Sequence, residues 1–369
     1  MSSLRALHVS TNPEMGGGEK QLLALVAGSA SRGVEAHLLA RARGKCLAAA
    51  LAAGLRAEPL RAAFAYDPIA IARLTRRLRH ERYDVVHLHD GGAASLGTAA
   101  AEMAGVPAIV HRRIASPLRR NALTRWKYDG RRVARFVAVS EVVAAVLAEG
   151  GVPRERIAVV PSGVDLRRLD GLSREAARRA LEAPPDQILV GTIGKLAAKK
   201  GVDTVLRAFS HLGRELPSAR CVVIGDGPDS AALRALAASL PCGERVAFLG
   251  ERPDAATLLA GIDLFLFGSE LEGAPGVVRE AMALRVPVAA VDAPGTVEVL
   301  GETGSIVRRG DDDGLAHAAL AALRRPIAER DAAVAAARAR IEARYSIDSM
   351  IDGTIAVARA VVTERRATL

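Results

Sequence analysis

Aromatic side chains are scarce in this sequence, with one Trp, four Tyr and six Phe among 369 residues. So few rings argue against a carbohydrate-cleaving cleft walled by aromatics, and against nucleic-acid binding by base stacking. Cysteine is scarcer still. Cys46, Cys221 and Cys242 are odd in number and fit no metal-ligand spacing, so free thiols in a reducing cytoplasm are expected. No run approaches the roughly 18 uninterrupted apolar residues of a membrane span. The N-terminus enters a strand-like segment, Leu4 to Val9, without a signal-peptide pattern.

Charge is plentiful and unevenly placed. Residues 1–165 carry 24 Lys and Arg against 14 Asp and Glu, whereas the remaining 204 carry 27 against 27, so the net charge of +10 belongs wholly to the first half. Nine of the basic residues fall between Arg112 and Arg135, Arg119 and Arg120 among them, with Trp126 and Tyr128 interspersed. Such a stretch suits a polyanion or an anionic membrane surface, and equally a solvated arginine-rich face.

Strand-like and helix-like segments alternate along the chain. Leu4–Ser10, Ala36–Ala40, Asp84–Leu88, Ala108–His111 and Arg135–Val139 read as strands. Between them lie a glycine-rich turn to Gly18, a helix over Glu19–Ala30, an Ala- and Arg-rich helical region through Arg82, and helices over Ala93–Ala104 and Glu141–Glu149. The rhythm restarts at Ile188 and continues through Arg220–Ile224, Val246–Leu249, Leu264–Phe267 and Val286–Val291. Repeated βαβ units predict two doubly wound α/β domains with parallel sheets, whose strand ends can face a shared cleft. The expected domains are 1–166 and 167–346, with 347–369 a terminal helix.

The most informative stretch runs from Ile262 to Ala283. An apolar strand leads into the loop Gly268–Gly276 and then into Val277-Val278-Arg279-Glu280-Ala281-Met282-Ala283 in helical period, which sets Glu272 and Glu280 eight apart across the turn. Ligands of open parallel sheets bind beyond the strands' carboxyl ends, where helix N-termini present free N–H groups. Gly276 admits a ligand to the backbone, and the glutamates can accept bonds from hydroxyls, which together suit a sugar nucleotide. The same glutamates would also serve as a dipole-complementing helix residue and a solvated loop residue. Lys195 and Lys200 bracket the loop after the first strand of the second half, where ammonium groups can neutralise a diphosphate. Gly16-Gly17-Gly18-Glu19 lacks the Lys-Ser/Thr of a Walker loop, and Gly225-Asp226-Gly227 does not complete a dinucleotide fingerprint. His87, His89 and His111 follow or end strands; no third ligand for the His-x-His pair is visible, so hydrogen-bonding roles are favoured over zinc. Asp311-Asp312-Asp313 reads as a helix N-cap rather than a metal site.

Together these pieces resemble glycosyltransferase family 4, retaining nucleotide-sugar transferases of the GT-B fold. The resemblance covers nearly the whole chain. It is carried by Ser269-Glu270-Leu271-Glu272-Gly273-Ala274-Pro275-Gly276-Val277-Val278-Arg279-Glu280-Ala281-Met282-Ala283, which matches the family's Glu-x7-Glu motif, and by Gly16-Gly17-Gly18-Glu19, Val160 to Asp165, Gly225 to Pro228, Phe248-Leu249-Gly250, and Gly295 with Glu298. The resemblance implies that Glu272 holds donor-sugar hydroxyls and Glu280 the nucleotide ribose. It implies that Val277 and Val278 N–H groups and Lys195 and Lys200 meet the diphosphate, that Gly17 and Gly18 close over the phosphates, and that His111 sits beside the donor sugar. It also implies metal-independent transfer to a saccharide or lipid-linked acceptor, in lipopolysaccharide or another cell-envelope glycan, by a cytoplasmic or peripheral membrane enzyme that binds no nucleic acid. Two departures stand out: Lys195 replaces the family's usual Arg, and Lys199 stands where an acidic residue is common. A sugar-nucleotide epimerase of the same fold and a non-catalytic nucleotide-binding membrane module are the alternatives.

Overall fold

The computed structural model describes residues 4–118 and 121–368, so Arg119 and Arg120 of the basic run lie outside the described residues. The chain divides into two compact units. One comprises the chain up to Gly163 together with the residues from Ile347 onward, and the other is Val164–Ser346.

The first unit is built from β1 (Leu4–Ser10), α1 (Gly17–Ser29), β2 (Val34–Arg41), α2 (Lys45–Ala52), β3 (Ala57–Leu60), α3 (Pro68–His80), β4 (Val85–Leu88), α4 (Gly91–Ala104), β5 (Ala108–Arg112), α5 (Ala122–Lys127), β6 (Arg135–Ala138), α6 (Glu141–Glu149) and β7 (Ile157–Val159). Its seven strands are all parallel, in the order β3-β2-β1-β4-β5-β6-β7. The order reverses between β1 and β4, where successive crossovers diverge and leave a crevice at the strands' carboxyl ends. Strand β3 is absent from the periodicity-based reading because Ala57-Glu58-Pro59-Leu60 carries neither alternation nor a β-branched residue. It forms at the sheet edge, where the missing N–H of Pro59 breaks no ladder.

The second unit contains α7 (Leu166–Asp170), α8 (Arg174–Ala180), β8 (Leu189–Ile193), α9 (Val202–Glu215), β9 (Arg220–Ile224), α10 (Ser230–Ser239), β10 (Val246–Phe248), α11 (Ala255–Leu259), β11 (Leu264–Phe267), α12 (Gly276–Ala283), β12 (Val288–Val291), α13 (Pro294–Leu300), β13 (Ser305–Val307), α14 (Asp312–Arg324) and α15 (Ile327–Arg344). Its sheet is also parallel, ordered β10-β9-β8-β11-β12-β13, with its reversal between β8 and β11. One face packs on α9 and α14 through Val205, Phe209, Leu264, Leu266 and Leu315; the other packs on α12 and α15 through Phe265, Val278, Met282 and Ile341. The chain's entry to and exit from this unit run side by side, with Val164 N donating to Tyr345 O at 2.7 Å and Val164 bridging Ser346. That pairing puts the unit's edge at Val164 rather than at the expected 167.

The last helix, α16 (Ile347–Thr368), belongs to the first unit. Met350, Ile351, Ile355, Ala358 and Val362 lie with Ala6, Val85, Ile109 and Val137 on one face of the seven-stranded sheet. Among the described residues no helix is long and apolar enough to cross a membrane.

Candidate active site

In the second unit the loops that follow β8 and β11 meet at the reversal of strand order, and their contact depends on two glycines. Gly201 adopts φ +57°, and a Cβ on it would collide with the carbonyl of Gly268; a Cβ on Gly268 would collide in turn with the carbonyl of Gly201. Bare backbone on both sides therefore lets the loops touch. Glu270 N donates to Lys199 O at 3.2 Å, and this contact brings Lys200 to Glu272, Nζ to Oε1 2.7 Å. Fully buried Ser269 has one hydroxyl proton for two acceptors, Glu272 Oε1 at 2.7 Å and Lys199 O at 3.2 Å. Glu272 is thus held from two directions before any ligand arrives.

The start of the β8 loop is braced by the Gly225-Asp226-Gly227 turn. Gly194 N donates to Ile224 O and Leu196 N to Asp226 O, both at 3.0 Å, and side chains on Gly225 or Gly227 would strike the carbonyls of Gly194 or Leu196. These glycines support the lysine loop by close backbone packing. Lys195 stands exposed on that loop and makes no hydrogen bond or ion pair among the described residues.

Helix α12 begins at Gly276 behind Pro275, so the amides of Gly276, Val277 and Val278 form its open first turn. Val278 is buried in the core and anchors that end, while Gly276 stays exposed. Buried Arg279 reaches back along the helix, as long helical side chains do, to the carbonyls of Ala274 and Pro275 at 3.4 Å. From the other side, Gly295 of α13 packs so closely on the carbonyls of Glu272 and Gly273 that no side chain fits. Glu280, one turn into α12, pairs with Arg168 of α7, Nη2 to Oε1 3.0 Å. Lys200 and Glu272 are therefore in contact, and Gly276, Val277, Val278 and Glu280 share one helix.

His111, Gly17 and Gly18 belong to the first unit. Helix α1 starts at Gly17, two residues before the expected Glu19, because Glu19 serves as a returning cap: its Oε2 accepts from Gly16 N at 2.9 Å and its Oε1 from Asn12 Nδ2 at 2.8 Å. Gly17 and Gly18 thus lie in a helical first turn rather than in a free loop. Asp90 caps α4 through Gly92 N and Ala93 N and also accepts from Thr11 N at 2.7 Å, tying the β1 and β4 loops together.

His111 is one of four buried histidines on one face of the sheet: His8 of β1, His87 and His89 at the end of β4, and His111 of β5. Their rings stack, His8 on His87 at 4.6 Å and His89 on His111 at 4.3 Å. Burial lowers the pKa of all four, His87 to about 3, so the neutral forms prevail. Arg113 donates to His89 O at 2.9 Å and to His89 Nδ1 at 3.1 Å, and a guanidinium can only donate. His89 must then carry its proton on Nε2 and give it to His8 Nδ1 at 3.0 Å, which leaves the His8 proton on Nε2, buried without an acceptor among the described residues. Ring nitrogens of His8, His87 and His89 lie within 4.8 Å of one another, so the structure supplies from β1 the third histidine that the His-x-His spacing lacked. Arg113 nevertheless works against a cation there, by its charge and by the tautomer it imposes. Asp311 caps α14, accepting from Gly314 N at 2.7 Å, as the acidic run suggested.

Sequence reasoning assigned no role to Ser269, Arg168, Arg113 or His8. Ser269 stood inside the quoted motif. Arg168, Arg113 and His8 gain their partners only through contacts distant in the chain.

Residues 15–168 match the family described as Glycosyltransferase Family 4, and residues 173–340 the family described as Glycosyl transferases group 1. A D-inositol 3-phosphate glycosyltransferase of Mycobacterium avium (strain 104) is 32% identical over 312 residues, covering 77% of this chain and 72% of that one. A GDP-mannose-dependent monoacylated alpha-(1-6)-phosphatidylinositol monomannoside mannosyltransferase of Corynebacterium glutamicum is 32% identical over 204 residues, covering 52% and 53%. Among solved structures, Anabaena HepE in complex with UDP superposes with a TM-score of 0.86 at 19% identity, over 97% of this chain and 100% of that one, which identifies the shared two-unit GT-B fold. With both units matched and a relative aligned along most of its length, the chain belongs to glycosyltransferase family 4 and is a glycosyltransferase.

Proposed function

We propose that the enzyme moves a sugar, with retention, from a nucleoside-diphosphate sugar to a hydroxyl of an anionic saccharide or lipid-linked acceptor in cell-envelope glycan synthesis, without a metal, at the inner face of the cytoplasmic membrane. The observation that carries this reading is the Lys200–Glu272 pair, held by Ser269 at the reversal of strand order. A diphosphate at the open first turn of α12 meets three amides and the helix dipole. Lys200 then turns part of its charge from Glu272 to the departing phosphate, and Lys195 adds a second cation. Freed in part, the Glu272 carboxylate accepts bonds from sugar hydroxyls, while Glu280 exchanges Arg168 for ribose. Catalysis in this scheme is mainly stabilisation of the leaving diphosphate, with the acceptor attacking from the face that it vacates. Gly17, Gly18 and His111 are assigned to the phosphate and sugar from the first unit.

Three further facts support the donor and acceptor classes. HepE carries UDP, the Corynebacterium relative is named for GDP-mannose, and both relatives are named for acceptors that bear phosphate. The excess positive charge of residues 1–165 suits such an acceptor. A thermal-shift panel of nucleoside diphosphates and their sugars tests the reading: selective stabilisation by one base supports it, and no stabilisation by any of them overturns it. Incubating the stabilising donor without acceptor separates the alternatives, since a new sugar isomer would mark an epimerase. Binding without transfer or hydrolysis would mark a non-catalytic module.

A further inference from the structure

Several arginines of the first unit have a counter-ion, among them Arg5 with Glu35, Arg32 with Asp348, Arg77 with Glu58, Arg132 with Glu102 and Arg135 with Glu364. Arg41, Arg61 and Arg73 differ. They line one open hollow of ≈ 390 Å³ where β2 and β3 end and α3 begins, and none has an ion pair among the described residues. The nearby Asp67 carboxylate is occupied as the α3 cap, accepting from the amides of Ala63, Ile69 and Ala70.

Beside this hollow the surface is apolar. Phe64 and Ile69 are each 62% exposed, and Leu123 of α5 is 58% exposed. Tyr66 joins the two elements, its ring 6.4 Å from Trp126 and its hydroxyl donating to Leu123 O at 3.4 Å. Arg125 and Lys127 extend the cationic surface along α5. Large exposed apolar groups, an amphipathic Trp–Tyr pair and the three arginines of the hollow together match the water–lipid boundary. A soluble polyanion would use the arginines but not Phe64, Ile69 or Leu123.

We propose that this rim, formed by the loop from Arg61 to Asp67, the start of α3, and α5, docks on a bilayer rich in anionic phospholipid. The three arginines seat headgroup phosphates, and Phe64, Ile69, Leu123 and Trp126 enter the boundary. The proposal deepens the function proposed above by placing the acceptor's membrane against the edge of the sheet that bears His111. Donor recognition in the second unit does not depend on it, so a nucleotide thermal shift can succeed where vesicle binding fails.

Trp126 is the sole tryptophan, so its fluorescence reports the contact directly. The full chain is titrated with phosphatidylglycerol or phosphatidylcholine vesicles at low and high salt, following emission and co-sedimentation. Expected are a blue shift and at least ~10-fold tighter binding to the anionic vesicles, weakened by salt. Replacing Arg41, Arg61 and Arg73 by Gln should weaken that binding by about 100-fold, on the scale of three headgroup contacts. The pair Phe64→Ser and Ile69→Ser should abolish the blue shift, with nucleotide stabilisation unchanged in both variants. Equal binding to the two vesicle types, an unshifted emission, wild-type binding by the triple variant, or the same emission change with inorganic phosphate alone would each overturn the proposal.

Discussion

At the scale of single residues, the two carboxylates assigned to the donor in the proposed scheme are each already held by a cation, Glu272 by Lys200 and Glu280 by Arg168. In the proposed mechanism Lys200 is the group whose charge the transition state needs most. Lys200→Ala should therefore lower kcat by at least ~10²-fold, the scale of losing one oxyanion contact, with a smaller change in donor KM. Steady-state turnover near wild type would remove Lys200 from the mechanism. Glu280→Ala should instead weaken donor binding, measured by calorimetry, and leave kcat at saturating donor within a few-fold. The histidines give a pH dependence of known sign. A group whose folded pKa lies below its unfolded value of about 6.5 takes its proton preferentially in the unfolded chain, so stability is full above that pH and is lost as the pH falls toward the folded value. For His87 the window runs from about 6.5 down to about 3. Urea midpoints of the first unit should drop across pH 6.5 to 4, by up to about 1.4 kcal/mol per pH unit for each histidine, and His87→Asn should flatten the slope. A flat wild-type profile would contradict the buried neutral array. The residue types of the site were readable from motif spacing. Its actual hydrogen bonds were not, because Ser269 has several polar neighbours in sequence and only the loop's path selects Glu272 and Lys199.

At the scale of elements, the site depends on how closely two loops approach. Gly201 and Gly268 each exclude any side chain on the other, so Gly268→Ala must push the β11 loop away from Lys199–Gly201. The expected cost is about 1–3 kcal/mol in denaturant stability, as for other overpacked positions. Activity should fall further than stability, since Lys200 and Glu272 separate; a fully active variant would show that their contact is dispensable. The strands with strong apolar runs, β1, β9 and β11, were legible to the residue, as was helix α6 over Glu141–Glu149. Strand β3 and helix α5 were not. Their sequences, Ala57-Glu58-Pro59-Leu60 and Ala122-Leu123-Thr124-Arg125-Trp126-Lys127, are too short to show a period, and β3 is ordered by pairing with β2.

At the scale of the whole molecule, the first unit is assembled from both ends of the chain and the second from one continuous segment. Val164–Ser346 expressed alone should fold and keep its nucleoside-diphosphate thermal shift. Residues 1–163 alone should not fold cooperatively, because Ala6, Val85, Ile109 and Val137 lose the α16 residues that cover them. Calorimetry of the two fragments checks both outcomes, and a single sharp transition from 1–163 would show α16 to be peripheral. The order of strands and helices, the restart near Ile188 and the charge asymmetry were determined by the chain itself, since hydrophobic period and composition are local properties. Which loops touch, which histidines stack and which arginines lack a counter-ion were decided only on folding. Parallel sheets with a reversal of strand order bring segments some 70 residues apart into contact, as with Lys200 and Glu272, and no local signal encodes such a pairing.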